Sequence, residues 1–172
     1  VVKLCEPGEM MNEPKRLQLN HERLQWLHPT IKPKVHAVLT DLQGHGLRPV
    51  LASSTFRTPA EQRRLKAQGR SKVSWSFHCA RMNGRPAALA ADIVEADMGW
   101  GAPRKFWLML GSSATAHGMQ WGGFWGLRLW QRRRVRRLWK HGAWNSSVAL
   151  GWDPAHIQTA KFSLRKARRL FG

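Results

Sequence analysis

The sequence predicts an α+β domain in which helices pack on a small antiparallel sheet. Apolar residues at helical spacing alternate with short apolar runs of strand length, and glycine-rich turns separate them. A length of 172 residues with 42% hydrophobic content suits one domain with its own core. Residues 1–21 are polar and proline-containing, with Met10 and Met11 adjacent, and read as a flexible leader. From Glu22 the pattern turns helical: Leu24, Leu27 and Ile31 are followed, past Pro33, by Val35, Val38, Leu39 and Leu42, and Gly44 and Gly46 close the helix. Residues 48–53 read as a short strand. Thr58, Pro59 and Glu61 form an N-cap, a first-turn proline and a capping-box acid, opening a helix to about Gln68. Residues 74–78 and 88–94 read as strands, 103–117 as a helix stopped by Gly118, and 119–121 as a strand entering Gly122-Gly123.

Charge narrows the partners. Twenty-nine Lys and Arg against ten Asp and Glu give a formal charge of +19, which calls for an anionic partner: nucleic acid, a phosphate-bearing envelope polymer or an anionic lipid surface. Two cysteines, Cys5 and Cys79, allow at most one internal bridge and exclude a disulfide framework. No stretch approaches the length of a membrane span, and the first residues lack the apolar core of a secretory signal. The expectation is a chain made in the cytoplasm that depends on another carrier if it works outside.

The chemistry-bearing residues are few. His78 in Ser-Phe-His and Asp92 in an apolar run are answered by Asp153-Pro-Ala-His156, giving two imidazoles, a carboxylate and a spare acid. A catalytic zinc site uses three such ligands, with a fourth position for water and a nearby carboxylate to take its proton. On strands, Ser76 shares a face with His78, Ala90 with Asp92, and His156 with Gln158; the Asp-Pro bend re-aims Asp153. Glu95 or Asp97 is the substitute if Asp92 only caps a strand. Cys79 points away from His78 on a strand and reads as a buried thiol.

Taken in order, these pieces resemble the M15 family of zinc peptidases, the D-alanyl-D-alanine carboxypeptidases and L-alanyl-D-glutamate endopeptidases that cut peptidoglycan stem peptides. The resemblance spans Leu27-His28-Pro29 to Ile157. It rests on Ser-Ser-Thr-Phe-Arg-Thr-Pro-Ala-Glu-Gln over 53–62, Ala-Gln-Gly-Arg-Ser over 67–71, Ser-Phe-His over 76–78, the Ala-x-Asp ending at Asp92, Met-Gln-Trp-Gly-Gly over 119–123, and Asp153-x-x-His156. It implies that His78, Asp92 and His156 bind Zn2+, that Asp153 is the general base, and that Arg57 holds the substrate carbonyl oxygen. Gln62, Ser76 and Trp121 would line the substrate site. Three departures stand out. Thirteen residues separate His78 from Asp92, more than the family pattern, with Ala88 where a glycine is expected. The Asn83-Gly84 pair marks the spare stretch as a hairpin. Residues 124–151 form an insertion, and Gln158 stands where a Glu is common.

Within that insertion, Leu127, Gln131, Val135, Leu138 and Trp139 fall on one helical stripe. Arg132, Arg133, Arg136 and Arg137 fill the rest, the pattern of a basic amphipathic helix. Such a helix suits an anionic envelope, lipid or polysaccharide; it also suits nucleic acid, or a solvated face. Residues 161–172 add a basic tail. Two function classes follow. One is a peptidoglycan peptidase, most readily an L-alanyl-D-glutamate endopeptidase working as a monomeric phage or prophage endolysin released through a holin, with D-Ala-D-Ala carboxypeptidase as the alternative within the family. The other is a cationic membrane- or nucleic-acid-binding protein with a vestigial peptidase site.

Overall fold

A computed structural model describes residues 11–172. Cys5 and Met10 lie outside the described residues. Among the described residues, six α-helices accompany a four-stranded antiparallel sheet, matching the α+β expectation. The sheet comprises β1 (Pro49–Leu51), β4 (Ala90–Glu95), β5 (Met119–Trp121) and β6 (His156–Thr159) in the order β1-β4-β6-β5. Helices α1 (Glu13–Leu24), α2 (Lys32–Gly44) and α4 (Arg104–Ala116) pack against it, and Ala91, Ile93 and Ile157 join Val35, Leu39, Phe106 and Leu110 in the core. Strand alternation therefore turns the neighbouring residues Asp92 and His156 to the opposite face. Helix α3 (Pro59–Ala67) starts with the full Thr58/Glu61 capping box.

The expected flexible leader over 1–21 is corrected for residues 13–21, which belong to α1. Of its four buried side chains only Leu24 is apolar; Arg16, Asn20 and Arg23 are polar, so apolar periodicity does not announce it. Arg16 and Asn20 donate to the Pro49 carbonyl at 2.7 and 3.0 Å, Arg23 donates to the Leu51 carbonyl, and the Leu51 N–H donates to Asn20 Oδ1 at 2.8 Å. These side chains saturate the free edge of β1, which would otherwise invite another strand. The single helix expected from Glu22 is likewise two, broken before Lys32.

The hairpin expectation holds. Strands β2 (Arg81–Met82) and β3 (Arg85–Pro86) pair antiparallel across Asn83 (φ 52) and Gly84 (φ 74), the left-handed pair of a type I′ turn. This hairpin absorbs the extra residues after His78. Ala88 is fully buried and exchanges backbone hydrogen bonds with Trp26 and His28, fixing the chain as it enters β4. By contrast, residues 74–78 form no strand. Phe77–Cys79 is a 3₁₀ turn, held by Leu89 N–H to Phe77 and Arg57 N–H to His78, single bonds from two different neighbours instead of a ladder.

The insertion forms helix α5 (Leu129–Lys140) against α4, with Val135 fully buried. Within the basic segment 161–172, helix α6 (Leu164–Phe171) buries Ala167, and Phe162 and Phe171 pack against the cluster of Trp75, Phe77, Cys79 and Leu89. No helix among the described residues is long and apolar enough to cross a membrane.

Candidate metal centre

The register of the sheet builds two thirds of the site. Asp92 on β4 lies directly opposite His156 on β6, so both side chains rise from one face as a cross-strand pair. His78 arrives from the 3₁₀ turn. His78 Nε2 stands 3.2 Å from His156 Nδ1, His156 Nδ1 stands 3.0 Å from Asp92 Oδ1, and His78 Nε2 stands 3.5 Å from the same oxygen. All three residues are buried.

The outer contacts fix which atoms face inward. His78 Nδ1 donates to the Thr55 carbonyl at 3.0 Å, leaving the Nε2 lone pair free. His156 Nε2 donates to Gln158 Oε1 at 3.0 Å, leaving Nδ1, while Gln158 Nε2 donates to Gln120 Oε1 at 2.8 Å and holds that amide in place. Asp92 Oδ2 accepts from Ser54 Oγ at 2.6 Å and Arg57 Nη2 at 3.2 Å, so Oδ1 is the inward oxygen. Gln158 thus does as a neutral acceptor what a carboxylate does elsewhere: it sets the tautomer and ring orientation of a ligand.

Three electron-rich atoms therefore meet at one buried point, and something positive must lie between them. A tetrahedral zinc with bonds of about 2.0–2.1 Å to N and O needs ligand atoms roughly 3.3–3.4 Å apart, close to the 3.0, 3.2 and 3.5 Å found here. The donor set of two imidazoles and one carboxylate fits such an ion. Burial pushes the His78 imidazole down to about 4, so it is neutral near pH 7. Burial alone would raise the Asp92 carboxyl, but both imidazoles and the Arg57 guanidinium outweigh it and hold it well below the usual carboxylate range. Burial also opposes charge on His156, yet the hydrogen bond and charge of Asp92, with Asp153 adding, raise its pKa above the ordinary imidazole value.

Below the His156 pKa a metal would displace a proton from the His156–Asp92 pair. Zinc affinity is expected to weaken about tenfold per pH unit below the His156 pKa and to level off above it. Calorimetry below that pKa, in buffers of different ionisation enthalpy, should give close to one proton released per zinc; none released there would contradict this pairing. Gln158→Ala should cost about 10–100-fold in zinc affinity, read by chelator competition.

The centre opens on a cleft of about 720 Å³ lined by Arg57, Gln62, Ser76, Asp153, Trp125 and Trp152. Asp153 is half-buried on the bend before β6; burial, with the Asp92 charge, raises its pKa against the pull of His156 and Arg57. Gln62 is fully buried, donating to Ser71 Oγ at 2.8 Å and the Val73 carbonyl at 2.9 Å and accepting from Ser76 Oγ at 3.1 Å. Gln62 and Ser76 brace one another and shape the wall. Glu95 and Asp97 stand elsewhere: Glu95 accepts from the Asp97 and Met98 N–H groups, and Asp97 pairs with Arg48. Cys79 is buried, its Sγ 3.7 Å from Ser76 Oγ.

Trp121 is corrected as a substrate-lining residue. It is 2% exposed and outside the cleft, and its indole N–H donates to the Pro154 carbonyl at 2.7 Å, pinning the bend that carries Asp153. Gly122 lets the same bend approach, because a Cβ there would overlap the Asp153 carbonyl oxygen. Gly122→Ala should destabilise the fold by about 1–3 kcal/mol and lower activity by moving Asp153; an unchanged melting temperature and turnover would refute that. Sequence reasoning missed Ser54, Trp125 and Trp152. Trp125 packs on both His156 and Trp152 with ring centroids 4.8 Å apart in each pair. Trp152 is adjacent to Asp153 in the sequence, a signal that was available; Trp125 sits in the insertion and gave none.

Of the insertion's six arginines, the four on the predicted basic face differ in their contacts. Arg132 is half-buried with Nε donating to the Leu127 carbonyl at 3.1 Å, and Arg136 lies over the Phe124 ring at 5.1 Å. Arg133, Arg136 and Arg137 are exposed, together with Arg134, Lys140, Leu129 and Trp130.

Comparison with known proteins gives a fold. No protein-family model matches the chain, and no curated protein matches it. Among solved structures it is similar to the L-Ala D-Glu endopeptidase ChiX of Serratia marcescens, at 19% identity and a TM-score of 0.50, over 83% of this chain and 86% of that one.

Proposed function

We propose that this chain is a zinc peptidase of peptidoglycan, of the M15 kind, which cuts the L-alanyl–D-glutamate bond of the stem peptide as a phage or prophage endolysin. The observation that carries the reading is the convergence of His78 Nε2, His156 Nδ1 and Asp92 Oδ1 beside a cleft that also holds Asp153 and Arg57. The fold shared with an L-Ala D-Glu endopeptidase supports it.

His78, Asp92 and His156 would hold the zinc, which supplies Lewis acidity for a carbonyl and lowers the pKa of water. The remaining steps belong to the protein. Asp153 takes the proton of the attacking water on its carboxylate and returns it to the leaving amine; its raised pKa suits both roles. Arg57 spends one N–H on Asp92 and has others for the oxyanion formed at the scissile carbonyl. Mass spectrometry of purified peptidoglycan after digestion tests the assignment. New N-terminal D-Glu is the expected product; loss of terminal D-Ala would make it a carboxypeptidase, and unchanged peptidoglycan would remove the peptidase reading.

The exposed face of α5 serves adhesion of a monomeric enzyme to an anionic envelope once a holin-type route has released it. Trp130 and Leu129 give this face apolar anchors beside its cations. Replacing Arg133, Arg134 and Arg137 by Gln should cut whole-cell lysis several-fold at low salt and less near 0.15 M, where screening over about 8 Å already weakens the attraction. Cleavage of a soluble stem peptide should fall far less. Equal losses in both assays would mean that α5 supports the catalytic fold instead.

A further inference from the structure

Beside the cleft lies a second hollow of about 770 Å³ between the segment after α3 and helix α6. Lys66 and Lys72 stand on one side, Arg165, Arg168 and Arg169 on the other, and no carboxylate lines it among the described residues. Trp75 and Leu164 contribute apolar surface. Lys72, Val73 and Leu164 border both hollows, so the groove continues the cleft. None of the five cations has an ion-pair partner among the described residues, and the exposed arginines of α6 project from a helix anchored by Ala167, Phe162 and Phe171 against the segment that carries His78.

We propose that this groove binds the carboxylates of the acid-bearing half of the substrate peptide and thereby sets its direction across the metal centre. The inference rests on the peptidase reading above and deepens it. An alanyl–glutamate bond has unequal sides: the alanyl side is neutral, and the glutamate side keeps at least one free carboxylate whichever of its two acids continues the chain. Further residues on that side end in a carboxylate as well. The cationic groove matches this side, with planar guanidinium forks suited to carboxylates and apolar surface for the intervening methylenes. The carbonyl to be attacked then lies toward the metal, and the leaving amine toward Lys72.

The test is equilibrium binding, by calorimetry, of two synthetic product peptides. One begins with D-Glu and carries all its carboxylates free; the other has them amidated. Wild-type protein should bind the free-acid peptide about tenfold tighter or more, the return on a charge-assisted hydrogen bond. The variant R165Q/R168Q/R169Q should bind both peptides alike, with an unchanged circular dichroism spectrum and melting temperature because these side chains are exposed. A wild type without the preference, or a triple variant that keeps it, overturns the proposal. So does tighter binding of a short DNA duplex than of the free-acid peptide if the triple variant loses it, which assigns the groove to nucleic acid. Peptidoglycan digestion run in parallel separates the two readings: a preference lost in the variant without any cleavage upholds the anion site and removes the peptidase, whereas cleavage without the preference removes the site alone.

Discussion

On the proposed reading, His78→Ala is expected to abolish both zinc binding and hydrolysis, and His156→Ala to do the same. Each histidine would supply one of the three protein donors that meet here, and each is locked by a hydrogen bond on its outer nitrogen, to Thr55 or to Gln158. No neighbour can swing in. Ser54 and Arg57 are already engaged on the far oxygen of Asp92, and Asp153 is carried on a bend pinned by Trp121. In His156→Ala the loss also leaves the buried Asp92 carboxylate without the imidazole hydrogen-bonded to it, and breaking a buried charge pair typically costs about 3–5 kcal/mol. A His78→Gln variant, nearer in volume and still polar, separates ligand loss from unfolding. Elemental analysis showing one zinc per chain retained in both alanine variants would falsify the ligand assignment.

Asp153→Ala is expected to keep zinc and lose turnover by about 10²–10⁴-fold, the usual contribution of a positioned general base. Its carboxylate is outside the ligand triangle yet lines the same cleft, so the substitution removes proton transfer without removing a donor. The pH profile offers a second check. Burial raises the Asp153 pKa, so the ionised base is present above that value and lost as pH falls through it. The acid limb of kcat should therefore lie above the ordinary aspartate value, and the residual activity of Asp153→Ala should lack that limb. Near-normal turnover in the variant would make Asp153 a turn residue only.

Much of this site was legible because its residues sit in local patterns with physical signatures. Asp92 lies in an apolar strand, His156 follows an Asp-Pro bend, and the Thr58 capping box and Asn83-Gly84 turn form as their sequences dictate. What the sequence hid was tertiary. Helix α1 buries Arg16, Asn20 and Arg23 to saturate a strand edge, so its inward face is polar and resembles a leader. The segment at His78 alternates like a strand but finds single backbone partners on two sides and coils into a turn. Trp121 is aromatic, near the site in sequence and adjacent to two glycines, features shared by substrate-binding and core residues; only its burial and its bond to Pro154 separate the two. Helix α6 looked like a tail because its charges outnumber its apolar residues, yet Ala167 and two phenylalanines suffice to seat it.

The most direct measurement of the central claim is anomalous scattering across the zinc absorption edge from crystals grown with zinc. One peak is expected about 2.0–2.1 Å from His78 Nε2, His156 Nδ1 and Asp92 Oδ1, facing Asp153 across the cleft. A zinc peak held by other residues, or none among these three side chains in zinc-saturated protein, would contradict the account.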